Sequence, residues 1–360
     1  MTKGGFATKR EAKDARALIL KQEQDGLLAG DRKMSTGEFL ERWWTWRTQQ
    51  HETPLRASTQ LSYRLYLDRL IPLLGGIRLA QLRATHIEKA FAQLRETYPN
   101  QSSATRQRAY ATLRSALRYA VRSKLIAVSP CDQVDLGFRS SRAKPTVWQP
   151  DEVGRFLDFL AQLAPDRLER RLSAAYHLAV FSGLRRGELV GLRWMDLDLE
   201  RGFLTVTQQA VVIGHRVELT IPKTKAGEQR IVALDAGTVA AVRSWKAQQA
   251  ADRLAWGEAW TDTGLVFTRE DGSGWHPEVL TKTLPRLAKA AGVPIIRFHD
   301  LRHLSASLQL SAGVSMAVVS KRLGHSTIGV TVDTYGHLLG QANQHAADAS
   351  AALVPRRAGT

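Results

Sequence analysis

The chain has a single cysteine, Cys131, among its 360 residues. One thiol can build neither an internal disulfide framework nor a cysteine-rich zinc site, so the chain reads as belonging to a reducing compartment. Long apolar runs are also missing: none approaches the roughly 20 residues that a membrane span needs. The opening Met1–Phe6 lacks the apolar stretch of a secretory signal. These absences point away from a membrane and toward the cytoplasm. Acidic residues are scarce, at 34 Asp and Glu against 51 Lys and Arg, a net charge of +17. The shortage is uneven, with 13 acids against 26 bases in residues 1–147 and 21 against 25 in residues 148–360. No acidic residue lies between Glu96 and Asp132. Nor do carboxylates gather at metal-ligand spacing anywhere, so metal-assisted hydrolysis is not supported and no cofactor is expected. Such a balance calls for a polyanionic partner, nucleic acid ahead of an anionic membrane. The N-terminal part reads as an electrostatic grip and the remainder as the seat of chemistry.

What is present is ordinary globular material, 44% apolar and 24% charged, and long enough for two or three domains. Residues 1–32 read as a polar segment with one helix from Thr8 to about Gly26. A helical region follows over 33–128. Phe39, Leu40, Trp43, Trp44 and Trp46 fall near helical spacing and read as core packing rather than as a stacking platform. A second helix begins near Ser58 and is expected to stop at Pro72 and Gly75-Gly76. A third opens on Thr85-His86-Ile87-Glu88, which has the form of a capping box. A fourth, about Ser103 to Ser123, carries Arg106, Arg114, Arg118 and Arg122. The last three are four residues apart and share a face, which reads as a phosphate-tracking surface in the absence of balancing acids.

Residues 129–147, with their prolines and turn formers, read as a linker. A mixed region spans 148–340, with a tail from 341 to 360. Pro150 suits the first turn of a helix, and a helix over Leu172–Ser182 leads into the first motif below. Short β-like runs at Phe203–Val206, Ala210–Ile213, Val217–Ile221 and Arg230–Leu234 predict one small antiparallel sheet. From Val239 the pattern is helical almost to the end. The expected class is mainly α with a small antiparallel sheet, an α+β second domain.

Three cassettes carry the chemistry. They are Ser182-Gly183-Leu184-Arg185-Arg186-Gly187-Glu188-Leu189, His299-Asp300-Leu301-Arg302-His303, and Leu323-Gly324-His325 with Tyr335 ten residues on. Guanidinium forks match phosphate oxygens, imidazoles move protons near neutral pH, and a phenol can be a covalent nucleophile. With candidate lysines lying between the first two cassettes, the set suits a phosphodiester better than any other common substrate.

In this order the motifs resemble those of the tyrosine recombinases, the phage integrase family, over about residues 35–340. The resemblance implies a helical core-binding domain of SAM-like type over 33–128 and a catalytic domain over 148–340, clamping a DNA duplex between them. It makes Arg185 and Arg302 the arginines that hold the scissile phosphate, the family's spacing selecting Arg185 over Arg186. Glu188 occupies an acidic position that orients an arginine. His299 stands where the family helps take the proton from the tyrosine, His325 where it binds the phosphate, and Tyr335 is the implied nucleophile. His303 reads as packing and His337 as a dispensable companion. The leaving 5′-oxygen would be protonated by a lysine in Pro222-Lys223-Thr224-Lys225-Ala226-Gly227, with Lys223 ahead of Lys225. Residues 4–12 look like the end of an arm-binding domain whose sheet is absent.

The implied activity is site-specific recombination through a 3′-phosphotyrosyl link, without metal or ATP. The implied partners are duplex attachment sites, a homotetramer passing through a Holliday junction, and an excision factor or a host DNA-bending protein. The rivals are a type IB topoisomerase and a catalytically silent DNA-binding factor.

Overall fold

The computed structural model describes residues 8–11, 13, 33–138, 146–164, 168–222, 229–336, 350 and 351. The chain divides into two compact units, Met1–Ala143 and Lys144–Thr360. Of the polar segment expected to be helical from Thr8, only residues 8–11 and 13 are described: Thr8 is a bend, and 9–11 and 13 are helical.

The first unit is built from α1 (Thr36–Thr45), α2 (Ala57–Leu74), α3 (Ala84–Thr97) and α4 (Ser103–Arg122). Ser35 caps α1 in a reciprocal box: its hydroxyl accepts from the Glu38 amide at 3.1 Å, and Glu38 accepts from the Ser35 amide at 2.7 Å. Phe39, Leu40 and Trp43 are buried with Leu67, Leu70, Leu74, Ile87, Leu113 and Leu117, so the tryptophan-rich helix faces inward. Three local expectations change. Pro72 lies inside α2, because the buried Leu70 and Leu74 keep its last turn packed despite the lost amide. Helix α3 starts from Arg83 rather than from a Thr85 box: His86 Nδ1 accepts the Arg83 amide at 3.1 Å. The stretch read as a linker is partly core, since Cys131 is buried and Val134, Leu136 and Phe138 pack beside it. Residues 139–145 lie outside the described residues.

The second unit opens with α5 (Pro150–Gln162), which has Pro150 in its first turn. Short α6 (Leu168–Arg171), α7 (Ser173–Ser182) and α8 (Arg186–Val190) follow. The strands are β1 (Leu197–Asp198), β2 (Phe203–Val206), β3 (Gln209–Ile213), β4 (Arg216–Thr220) and β5 (Arg230–Ala233). They form two antiparallel pieces rather than one sheet. One has the order β1-β2-β5 with Leu204 opposite Val232, and the other is the β3-β4 hairpin turned at Gly214. Helices α9 (Ala236–Trp256), α10 (Glu278–Ala290), α11 (Phe298–Ser311), α12 (Met316–Leu323) and α13 (Ile328–Tyr335) follow.

The helical pattern expected after Val239 breaks between α9 and α10. There the chain is mostly irregular but anchored by Phe267 stacked on Trp275 at 5.6 Å, both fully buried. Around Trp148, Phe156, Tyr176, Leu204, Val232, Leu280 and Leu301 runs one continuous core, which fixes α7, α10 and α11 against each other.

Candidate active site

Helix α7 ends at Gly183, whose φ of +64° favours a residue without a Cβ. A Cβ there would also meet Leu323 Cδ2 at 2.5 Å. Two residues on, Arg185 is the N-cap of α8, which lies close against β3 because Gly187 and Gly191 face the Ala210 backbone. Helix α12 closes in the same way at Gly324, with φ +69°. These turns place carbonyls where the arginines need them. Arg302 on α11 donates to the Gly183 carbonyl at 2.8 Å and to the Leu323 carbonyl at 2.6 Å. Arg185 donates to the Gly324 carbonyl at 3.2 Å.

Behind Arg185 stands Glu188, 1% exposed. It accepts from Arg185 at 2.8 Å and from both ends of the Arg230 guanidinium at 2.6 and 3.0 Å. Burial alone would raise the Glu188 pKa, but the Arg230 hydrogen bonds and charge, with that of Arg185, hold it below the usual carboxylate value. The carboxylate is therefore a fixed negative anchor between two cations. Arg302 is 4% exposed, and burial followed by the Arg185 charge brings its pKa down to about 9, so it stays cationic near neutral pH.

On α11, positions 299, 302 and 303 share one face, since residues three and four apart are neighbours on a helix. His303 Nδ1 and the Tyr335 hydroxyl are 2.7 Å apart. The His299 ring meets His303 edge-on, with centroids 5.2 Å apart. Desolvation, then the charges of His303 and Arg302, lowers the His299 pKa to about 4, although the residue as a whole remains exposed. Tyr335, 3% exposed, packs with Ala306, Val319 and Leu323. Burial pushes its phenol up to about 12, against the opposing charge of Arg302. His325 follows the Gly324 cap, with Nδ1 2.8 Å from the buried Thr331 hydroxyl. Burial and the charges of Arg302 and Arg185 lower its pKa to about 4. What converges is a group of cations and a phenol with imidazoles that rest uncharged.

Arg185, Glu188, His299, Arg302, His325 and Tyr335 thus come together from α8, α11, α12 and α13. Arg186 points elsewhere, to the Thr281 hydroxyl at 2.7 Å. Lys223, Lys225 and His337 lie outside the described residues. In the first unit Arg106 bonds the Gln101 carbonyl, and Arg114 pairs with Asp132 at 3.0 Å. Arg118 and Arg122 are exposed and form no ion pair among the described residues. The sequence reading missed Arg230 and gave His303 the wrong setting: its ring is bonded to the phenol, not merely packed. A signal for Arg230 existed, since it alternates with Val232 on the buried face of β5.

The Phage integrase family model matches residues 147–341. A tyrosine recombinase XerC-like protein of Caldanaerobacter subterraneus subsp. tengcongensis is 28% identical over 346 residues, 92% of this chain and 86% of that protein. The integrase of Mycobacterium phage D29 is 27% identical over 81% of this chain and 71% of its own length. In fold, the chain is similar to the Tn1549 transposon integrase solved with a circular intermediate DNA. That likeness has a TM-score of 0.69 at 18% identity, covering 84% of this chain and 95% of that one. Arginines, histidines and the tyrosine of α13 gathered on this fold, within the span that the family model matches, have one explanation: the chain belongs to the phage integrase family, the tyrosine recombinases, which are DNA strand transferases.

Proposed function

We propose that the chain is a site-specific recombinase that cuts and rejoins duplex DNA through a phosphotyrosyl link, integrating or excising a mobile element. The observation that carries this reading is the meeting of Arg185 and Arg302 beside Tyr335: the two arginines donate to the adjacent Gly324 and Leu323 carbonyls, and Tyr335 packs with Leu323. Arg185, Arg302 and His325 hold the non-bridging oxygens of one phosphate. As that phosphorus becomes pentacoordinate its oxygens gain charge, and donors already fixed by carbonyls and by Glu188 stabilise this state more than the ground state.

Tyr335 attacks, its proton leaves through the histidine pair of α11, and the 3′-phosphotyrosyl link conserves the energy of the broken bond. Lys223 protonates the departing 5′-oxygen. Residues 33–138 bind the core site through Arg106, Arg114, Arg118 and Arg122, and residues 148–340 catalyse. Four copies act on two paired attachment sites in the cytoplasm, with an excision factor or a host DNA-bending protein setting direction.

The test is covalency. On a nicked suicide duplex carrying the sequence that the full chain selects from a random pool, the wild type should give an SDS-resistant protein–DNA adduct. Tyr335→Phe should shift the same duplex in a gel and give none. An undiminished adduct from Tyr335→Phe overturns the assignment. Strand exchange between two selected sites, rather than relaxation of any supercoiled plasmid, separates recombination from topoisomerase action.

A further inference from the structure

The geometry points to His303 as the residue that accepts the Tyr335 proton during attack. This rests on the recombinase reading and deepens it, because the family motif directs attention to His299. The phenol oxygen lies 2.7 Å from His303 Nδ1, within the reach that proton transfer requires. Among the described residues no other side chain is hydrogen-bonded to that oxygen. His299 touches the system only through the edge of the His303 ring, at a centroid distance of 5.2 Å.

The surroundings keep His303 ready to accept. Burial lowers its pKa, opposed by Asp300 and assisted by Arg297 and Arg302. Asp300 is itself tied to Arg297 by bonds of 2.7 and 3.0 Å. Its charge is therefore shared with Arg297, and burial outweighs the pull that it exerts on the ring. The groups facing His303 are His299, Asp300, Arg297 and Arg302 of its own helix region, Tyr335 of α13, and His325, whose own proton His303 influences. With the ring neutral, Nδ1 offers a lone pair to the phenol.

The step balances. The Tyr335 oxygen forms a bond to phosphorus as its proton passes to His303 Nδ1. The bond from phosphorus to the 5′-oxygen breaks, its electron pair leaves with that oxygen, and the proposed general acid supplies the proton there. On rejoining, the 5′-hydroxyl attacks and His303 returns its proton to the phenol. Ala306, one turn along α11, leaves room for the Tyr335 ring to lie against the helix so that its hydroxyl reaches position 303.

The experiment measures single-turnover adduct formation on the selected suicide duplex for wild type, His303→Ala, His303→Asn and His299→Ala. Gel shifts and circular dichroism are run on each. His303→Ala should bind DNA normally and cleave about 100-fold or more slower, the usual range for loss of an acid–base group. Free imidazole should restore part of its rate in proportion to the unprotonated fraction. A sulfur substituted for the bridging 5′-oxygen should not rescue it, because the defect is on the attacking side. His303→Asn keeps a hydrogen-bond acceptor near the same place without a usable base, so it should fold and remain slow. His299→Ala should cleave faster than His303→Ala.

The inference is overturned if either His303 variant cleaves at close to the wild-type rate. It is also overturned if His303→Ala is slow but imidazole leaves it unchanged, which marks a purely structural role. No adduct from the wild type on the selected duplex would instead sink the recombinase reading.

Discussion

Arg118 and Arg122 on α4 and Arg230 and Arg302 in the second unit are the same side chain in two dielectric settings. The first pair stands in solvent with no ion pair among the described residues. The second pair is buried, and each of its members is held by named acceptors: Glu188 and the Arg322 carbonyl for Arg230, the Gly183 and Leu323 carbonyls for Arg302. Solvated guanidinium groups adapt to a phosphate backbone and exchange counterions for it, which gives affinity but little geometry. Buried ones are placed before the substrate arrives, so little reorganisation remains when charge develops. The same side chain is thus either solvated and adaptable or fixed in advance, and what separates the two settings is whether carbonyls and Glu188 have already satisfied its donors.

The sharpest way to break this comparison is Glu188→Ala. Removing one partner from a buried ion network leaves uncompensated charge, so urea unfolding should show a loss of about 3–5 kcal/mol. An unchanged midpoint would mean that Glu188 does not anchor Arg185 and Arg230.

Next comes acid. The folded-state pKa of His325, about 4, lies below the roughly 6.5 of an unfolded histidine, so the unfolded chain takes up the proton first as pH falls. Its contribution is intact above about 6.5 and drains away toward 4. The urea midpoint should therefore fall over that window, and His325→Asn should flatten the fall. An identical slope in the variant would remove the desolvation argument.

A smaller effect should attend the exposed pair. Changing Arg118 and Arg122 together to Ala should weaken DNA binding and reduce the log–log salt slope by about 0.9 for each phosphate that is no longer neutralised. The adduct rate at saturating protein should be unchanged. A slower rate with an unchanged slope would place these residues in the chemistry instead. The smallest effect belongs to Arg114→Ala, whose partner Asp132 is also half-exposed, at 42% and 43% respectively. A solvated pair of this kind contributes about 0–1 kcal/mol, so its unfolding midpoint should barely move.

How much could be read in advance follows from the same physics. Arg185, Arg302, His325 and Tyr335 were legible because an ordered set of motifs is far more specific than any one residue in it. Arg230 was not, since a lone basic residue in a short strand usually faces water, and its burial goes with its pairing to Glu188, 42 residues away in sequence. His303 was misread because sequence places it one residue beyond Arg302 and cannot show that α13 returns to meet that face. The helices of the first unit were found from their apolar spacing, with boundaries drifting where local rules competed: His86 rather than Thr85 closes the turn before α3. The two-residue β1 has no pattern to detect, and the segment between α9 and α10 is held by packed aromatics that follow no period.

The two glycine-ended helices also bear on how the protein is made. Arg302 is bonded to the carbonyl of a residue 119 positions earlier, and Arg185 to one 139 positions later. Contacts so distant in sequence form late, because the intervening chain must be synthesised and ordered before they can close. A ribosome-bound chain that has emerged only through α11 owns both arginines but neither Gly324 nor Tyr335. Such a chain holds the basic first unit and both guanidinium groups, yet it lacks the carbonyl to which Arg185 is bonded and the phenol that meets His303. The arginines, the imidazoles and the phenol therefore meet only once α12 and α13 have docked on α11.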